Sequence, residues 1–307
     1  MAAGTPPAQE NNTTVSTGLV LALSAAFLFS TKPILIKWLY GLGMTALPLM
    51  GLRLVIALPL YVIVGVVMWG RLANKPSLRD VCNAAAIGLL GYYLASYLDL
   101  SGLEYVSAQL ERLMLYAYPS MVVIMGALFF GAKVNRSIIP ALILTYAGLA
   151  VMYGHDLNIA PVGTDPADIT KGTLLILASA LSFSLYVLFS KKSIARLGSL
   201  LFTSIAMGSA TIATIVHYAI VEGAVMPDMT AQIWGGVLIL AIMATVVPSF
   251  MVSEAIKRIG PAKTSVSGTI GPVMTTIMAI MFLGEPFGWL TALGMALVML
   301  GVTRLQK

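Results

Sequence analysis

The sequence predicts an all-α membrane protein of ten transmembrane helices, arranged as two inverted five-helix repeats around a central cavity. Three observations carry this expectation: composition, the spacing of apolar runs and the placement of charge. Of 307 residues, 59% are hydrophobic and only 10% are charged, against about 25% charged in an ordinary soluble domain. Apolar runs of about twenty residues, long enough to cross a bilayer, follow one another along most of the chain. That pattern excludes a soluble enzyme.

Taken in order, the first half holds spans near 17–38, 47–69, 80–101, 107–131 and 136–154. Each ends at charges or turn residues. The first closes on Lys37; Arg71, Lys75 and Arg79 separate the second from the third; Glu104 precedes the fourth; Lys133 and Arg136 lead into the fifth. His155 to Thr170 then carries Asp156, Pro161, Gly163, Asp165, Pro166 and Asp168 with no apolar period, the mark of a polar connecting loop. The second half holds spans near 171–190, 199–220, 232–256, 262–284 and 286–305. The domain division is therefore 17–154, a loop at 155–170, and 171–305. The first seventeen residues lack a basic region, and the run from Gly18 to Trp38 exceeds a signal-peptide core, so it is expected to stay as a spanning helix.

Ten spans return the chain to the side on which it starts, and the charges then sort by side. Arg71, Lys75, Arg79, Lys133, Arg136, Lys191, Lys192, Arg196, Lys257, Arg258, Lys263, Arg304 and Lys307 fall on the side of the N-terminus. Glu104, Asp156, Asp165, Asp168, Glu222, Asp228 and Glu285 fall opposite, with only Lys37 and Lys171. Basic loops resist translocation, so both termini are expected in the cytoplasm. The net charge of +6 is thereby a topology signal, and nucleic-acid binding is rejected for want of a dense basic patch. Cys82 is alone, and His155 with His217 cannot build a zinc site of the usual spacing, so no disulfide, metal or cofactor is implied.

The halves read as copies. Pro119, Gly131 and Gly148 recur 153 positions later as Pro272, Gly284 and Gly301, while Ser24 and Lys37 recur 155 positions later as Ser179 and Lys192. Five spans per copy is odd, so the second copy must enter the membrane inverted, and equivalent loops should carry opposite charge. They do: Arg71, Lys75 and Arg79 face Glu222 and Asp228 in the alignment, and Glu104 faces Lys257 and Arg258. Inverted halves can exchange conformations to open a central site to either side, which favours transport.

Ala95-Ser96-Tyr97, Leu103-Glu104-Tyr105-Val106-Ser107-Ala108, Tyr116-Ala117-Tyr118-Pro119 and Phe130-Gly131 resemble helices of EamA-type proteins in the drug/metabolite transporter superfamily. In the second half, Ala255 to Ala262, Gly271-Pro272 and Phe282-Leu283-Gly284-Glu285-Pro286 resemble that family's ninth helix with its Leu-Gly-Glu ending. The first copy has Gly131-Ala132 where Gly-Glu is expected. The resemblance covers about 17–305 and implies a ten-helix exporter of small metabolites or amino acids, as in YddG-like members, multi-pass in a bacterial inner membrane.

Charges inside spans cost about 2.5–3.5 kcal/mol at a helix centre and should face protein or water. Asp99 and Glu254 are expected to snorkel from helix ends. Lys32, Arg53, Glu111 and Arg112 fall in the external half, and Glu111 is expected to pair with Arg53 or Lys32 as an external gate or one pole of a zwitterion site. Ser24, Phe27 and Thr31, with Ser179, Ser182 and Tyr186, form two hydroxyl-rich stripes that could face the cavity. Ser265, Thr269, Tyr97, Tyr116 and Tyr118 add polar groups suited to a solute that must be released as well as bound. Pro119 and Pro272 are candidate paired hinges. Gly288, Gly294 and Gly301, with Ala141, Ala147 and Gly148, offer small faces that close the bundle or support a homodimer.

No phosphate-binding loop occurs, so ATP does not drive transport from this chain. The primary expectation is export of small polar metabolites by alternating access, with the lipid bilayer and a small-molecule substrate as partners. A channel is the second reading. An intramembrane lipid-processing enzyme is the third, and it lacks the paired acids or histidine cluster such chemistry needs.

Overall fold

The computed structural model describes the backbone of residues 12–131, 138–160, 163–223, 225 and 227–305, and side chains there except at 12–15, 130, 253, 256–257, 260–266 and 269. All regular structure among the described residues is helical. The helices are α1 (Asn12–Gly41), α2 (Ala46–Arg71), α3 (Leu78–Leu103), α4 (Ala108–Leu115), α5 (Tyr118–Phe130), α6 (Ile139–Ile159), α7 (Pro166–Leu197) and α8 (Ser199–Val221). There follow α9 (Ala231–Ala241), α10 (Val247–Ser267), α11 (Gly271–Met278) and α12 (Trp289–Leu305). A wide turn at Leu89–Leu94 interrupts α3, and a similar one at Ile242–Val246 joins α9 to α10.

Local chemistry sets the ends. Ser77, Ser107 and Thr230 each accept a hydrogen bond from the backbone N–H three residues on, which satisfies a donor the helix cannot. Gly131 and Gly284, equivalent in the two halves, stop their helices in the left-handed region at φ 63° and 68°, where a side chain would strain the backbone.

Seven helices among the described residues are long and apolar enough to span a membrane; Gly271–Leu283 and Trp289–Leu305 are apolar but shorter. The packing suits a lipid solvent. Leu128, Ile220 and Met281 are at least 70% exposed, on an outer surface too apolar for water. Hydroxyls lie inside: Thr145, Ser184 and Thr214 are fully buried, and each donates to the carbonyl four residues earlier. This removes the cost of an unmet polar group without help from water.

Close contacts trace chain direction. Gly236 packs on Leu39 of α1, and Gly18 packs on Ile259. The Gly271 carbonyl accepts from Ser30 Oγ at 3.1 Å. The chain therefore runs antiparallel to α1 from Gly236 to Ile259, then advances along it again to Gly271. The small faces of α6 and α12 meet each other: a Cβ at Gly148 would lie 2.7 Å from the Gly294 carbonyl oxygen, and Gly301 packs on Ala141. That face, expected to close the bundle or support a homodimer, is filled within the chain at Ala141, Gly148, Gly294 and Gly301, whereas Ala147 is exposed and Gly288 has open space around it.

Gly148→Leu should lower stability by about 1–3 kcal/mol through overpacking. Thermal unfolding of the detergent-solubilised protein checks this, and an unchanged Tm would refute the close approach of α6 and α12.

Candidate functional site

The polar groups that sequence places inside the membrane converge on one cluster. Lys32 of α1 lies 2.8 Å from the Asp99 carboxylate of α3, with the two side chains 19% and 4% exposed. Asp99 therefore does not snorkel as expected. It meets Lys32 because α1 and α3 bring both residues to the same depth, and pairing lowers the cost of burying either charge. The expected pairing of Glu111 with Lys32 or Arg53 is corrected accordingly. Glu254, the repeat counterpart of Asp99, instead forms a half-exposed pair with Arg258, one helical turn on, at 2.7 Å.

Glu111, 1% exposed, lies close enough to the Asp99 carboxyl for the two groups to act on each other. Neither Asp99 Oδ1 nor Glu111 Oε2 has a donor. Arg53 of α2 is 4% exposed and interacts with the Asp99 charge. No ion pair of Arg53 or Arg112 occurs among the described residues. Arg53 Nε, Arg112 Nε and the Tyr116 hydroxyl are all buried without hydrogen-bond partners.

Two helix breaks frame this cluster. α4 ends at Leu115 and α5 begins at Tyr118; a short tight turn at Gly268–Ile270 precedes α11. Pro119 and Pro272 occupy the first turns of α5 and α11. A proline there removes no helical hydrogen bond, so the breaks come before the prolines rather than as mid-helix kinks. Arg112 Nη2 lies 2.9 Å from the point a Cβ on Gly271 would occupy, so glycine makes room for the guanidinium. Thr275 Oγ1 donates to the Ser30 carbonyl at 3.2 Å, which ties α11 to α1 beside the break.

Acids hold the entrance of α4. Glu285 accepts from the Ala108 N–H at 2.7 Å and from the Gln109 N–H at 3.2 Å. Asp156 accepts from both the Ser107 N–H and its hydroxyl at 2.8 Å. The Gly284-Glu285 ending thus turns the chain and then caps a helix of the other half, where negative charge also suits the helix dipole.

The remaining candidates lie apart from this cluster. Ser182 donates to the Leu90 carbonyl and Tyr186 to the Tyr92 hydroxyl, both in the wide turn of α3. Tyr97 packs edge-on to His217 at 4.8 Å. Thr31 donates to Leu28 in its own helix, Ser24 is half-buried and Phe27 is exposed. The side chains of Ser265 and Thr269 lie outside the described residues. Sequence reasoning placed Asp99 at a helix end and gave no site role to Ser30, Gly271 or Thr275. For Asp99 a signal existed, since it and Lys32 carry opposite charge in the same half of the membrane.

The sequence pattern of the EamA-like transporter family matches residues 16–154 and again 170–305. The uncharacterized transporter YcbK of Bacillus subtilis (strain 168) is 26% identical over 295 residues, covering 94% of this chain and 92% of its own. The uncharacterized transporter YcxC of the same organism is 26% identical over 246 residues, covering 76% and 75%. A solved crystal structure shares 17% identity at a TM-score of 0.64, covering 94% of this chain and 96% of its own, which shows likeness of fold. The chain belongs to the EamA-like transporter family. It is a membrane-spanning transporter rather than an enzyme.

Glu285→Ala should lower stability by about 0.5–2 kcal/mol, because two N–H groups of α4 lose their acceptor. Thermal unfolding reads this out, and a Tm equal to that of the unsubstituted protein would show the cap to be energetically silent.

Proposed function

We propose that the protein exports small polar metabolites, amino acids foremost, by alternating access and without ATP, as YddG-like members of the family would. In this reading ten spans form two inverted repeats, 17–154 and 171–305, joined by 155–170, with both termini in the cytoplasm of a bacterial cell. The observation that carries it is the cluster of Lys32, Arg53, Asp99, Glu111 and Arg112. It buries both signs of charge and leaves donors unspent. Such groups are rare in a native interior unless water or a ligand meets them. Arg112 belongs to the first half and Gly271 to the second, so the cluster sits where relative motion of the halves would open it.

The closed arrangement suits an occluded stage of the cycle. Cavities of about 400 and 570 Å³ lie against α7, the first lined by groups such as Met121, Leu174 and Leu181 and the second by Ala167, Thr170, Lys171, Leu174 and Leu175. A central cavity would form when the halves separate. Lys32, Arg53, Glu111, Arg112 and Tyr116 are then the groups a solute meets, and the breaks before Pro119 and Pro272 serve as the hinges.

Counterflow in liposomes tests this. Unlabelled amino acid inside should accelerate uptake of the labelled compound and saturate. Uptake that is indifferent to internal solute would contradict a carrier and favour a channel.

A further inference from the structure

Charge and hydrogen-bond bookkeeping at the cluster deepens this reading and rests on it. Three cationic side chains, Lys32, Arg53 and Arg112, face two carboxyls, Asp99 and Glu111. Even with both carboxyls ionised the group is positive. Of the twelve acidic residues in the chain, Glu10 alone has an undescribed side chain. Glu10 precedes α1 by two residues, whereas Lys32 lies twenty residues into that helix. Among the described residues no other carboxylate forms an ion pair with the cluster. Of the acceptors, Asp99 Oδ2 takes Lys32, and Glu111 lies against Asp99. Apart from the carboxyl pair itself, whose Asp99 Oδ1 and Glu111 Oε2 also lack a donor, what is left over is Arg53 Nε, Arg112 Nε and the Tyr116 hydroxyl, each able to donate.

We infer that the transported solute is recognised through a carboxylate, bound by the Arg112 guanidinium beside the Tyr116 hydroxyl, and that an amino group on it is dispensable. A guanidinium presents a planar fork of donors that matches a carboxylate. The placement adds to this. Arg112 lies against Gly271, the first residue of α11, and its charge reaches Tyr118, the first residue of α5. α11 thus begins beside Arg112, and helix N-termini favour negative charge. Arg53, buried and unpaired, adds positive field without needing to touch the solute. The incoming carboxylate supplies the balancing charge and the missing acceptors together, so the loaded site is better suited to the membrane interior than the empty one.

The test is counterflow by the unsubstituted protein with four solutes of one carbon skeleton: the amino acid, its deaminated acid, its decarboxylated amine and its amide. The acid should exchange within about tenfold of the amino acid, while the amine and amide should not exchange. Arg112→Gln should raise the half-saturating concentration at least tenfold, and Arg196→Gln, in the exposed pair with Asp80, should leave it unchanged. Thermal stabilisation of the unsubstituted protein by the acid and not the amine gives the same answer without any variant. Exchange of the amine or amide as readily as the acid would overturn the carboxylate assignment and leave transport standing. No exchange with any of the four would overturn both.

Discussion

A bilayer offers no water to a buried charge, and the structure is organised around meeting that demand with protein groups. Lys32 and Asp99 pair across α1 and α3 at 2.8 Å, and Glu111 joins the Asp99 carboxyl. In a medium of low dielectric an unmatched partner would cost several kcal/mol, about 3–5 when a buried pair is broken. The pair therefore constrains the depth at which α1, α3 and α4 can sit. Elsewhere the same demand is met by short means, as when Thr145 or Thr214 bonds back to its own helix.

Arg112 packs against Gly271, where α11 begins. α4 is eight residues long and would be marginal alone. Its first N–H groups are met by Ser107 and Glu285, and Asp156 anchors Ser107. Glu285 reaches α4 from the opposite half of the chain, so the cap links the two halves on the side where Glu104, Asp156 and Glu285 all act on Lys37. The halves touch again at the centre, through Ser30 with Gly271 and Thr275. Relative movement of the halves must change one of these contacts, which makes them the mechanical counterpart of the charge cluster.

The fold was largely readable because membrane burial writes itself into composition: apolar runs, polar breaks and glycine stops such as Gly131 and Gly284 need no tertiary information. The cluster was half readable. Lys32, Arg53, Glu111 and Arg112 stood out as charges in apolar surroundings, but which partner each would find depends on helix rotation and depth, and Asp99 near a helix end was read as solvent-facing. Hydroxyls were the least readable. Ser182 and Tyr186 share a helical face, yet that face meets the wide turn of α3, whose irregular backbone no spacing rule announces. Pro119 and Pro272 were read as mid-span kinks, whereas each lies in the first turn of its helix with the break before it.

The central claim is that the unspent donors around Arg112 line the path of the solute. Cys82 is the chain's only cysteine and is exposed, so Tyr116→Cys in a Cys82→Ser background places one thiol at that path. Labelling by a membrane-impermeant maleimide in sealed vesicles measures its access to water. The account predicts that the thiol labels and that a transported carboxylate slows the reaction. A thiol that never labels, or one whose labelling the solute leaves unchanged, would contradict it.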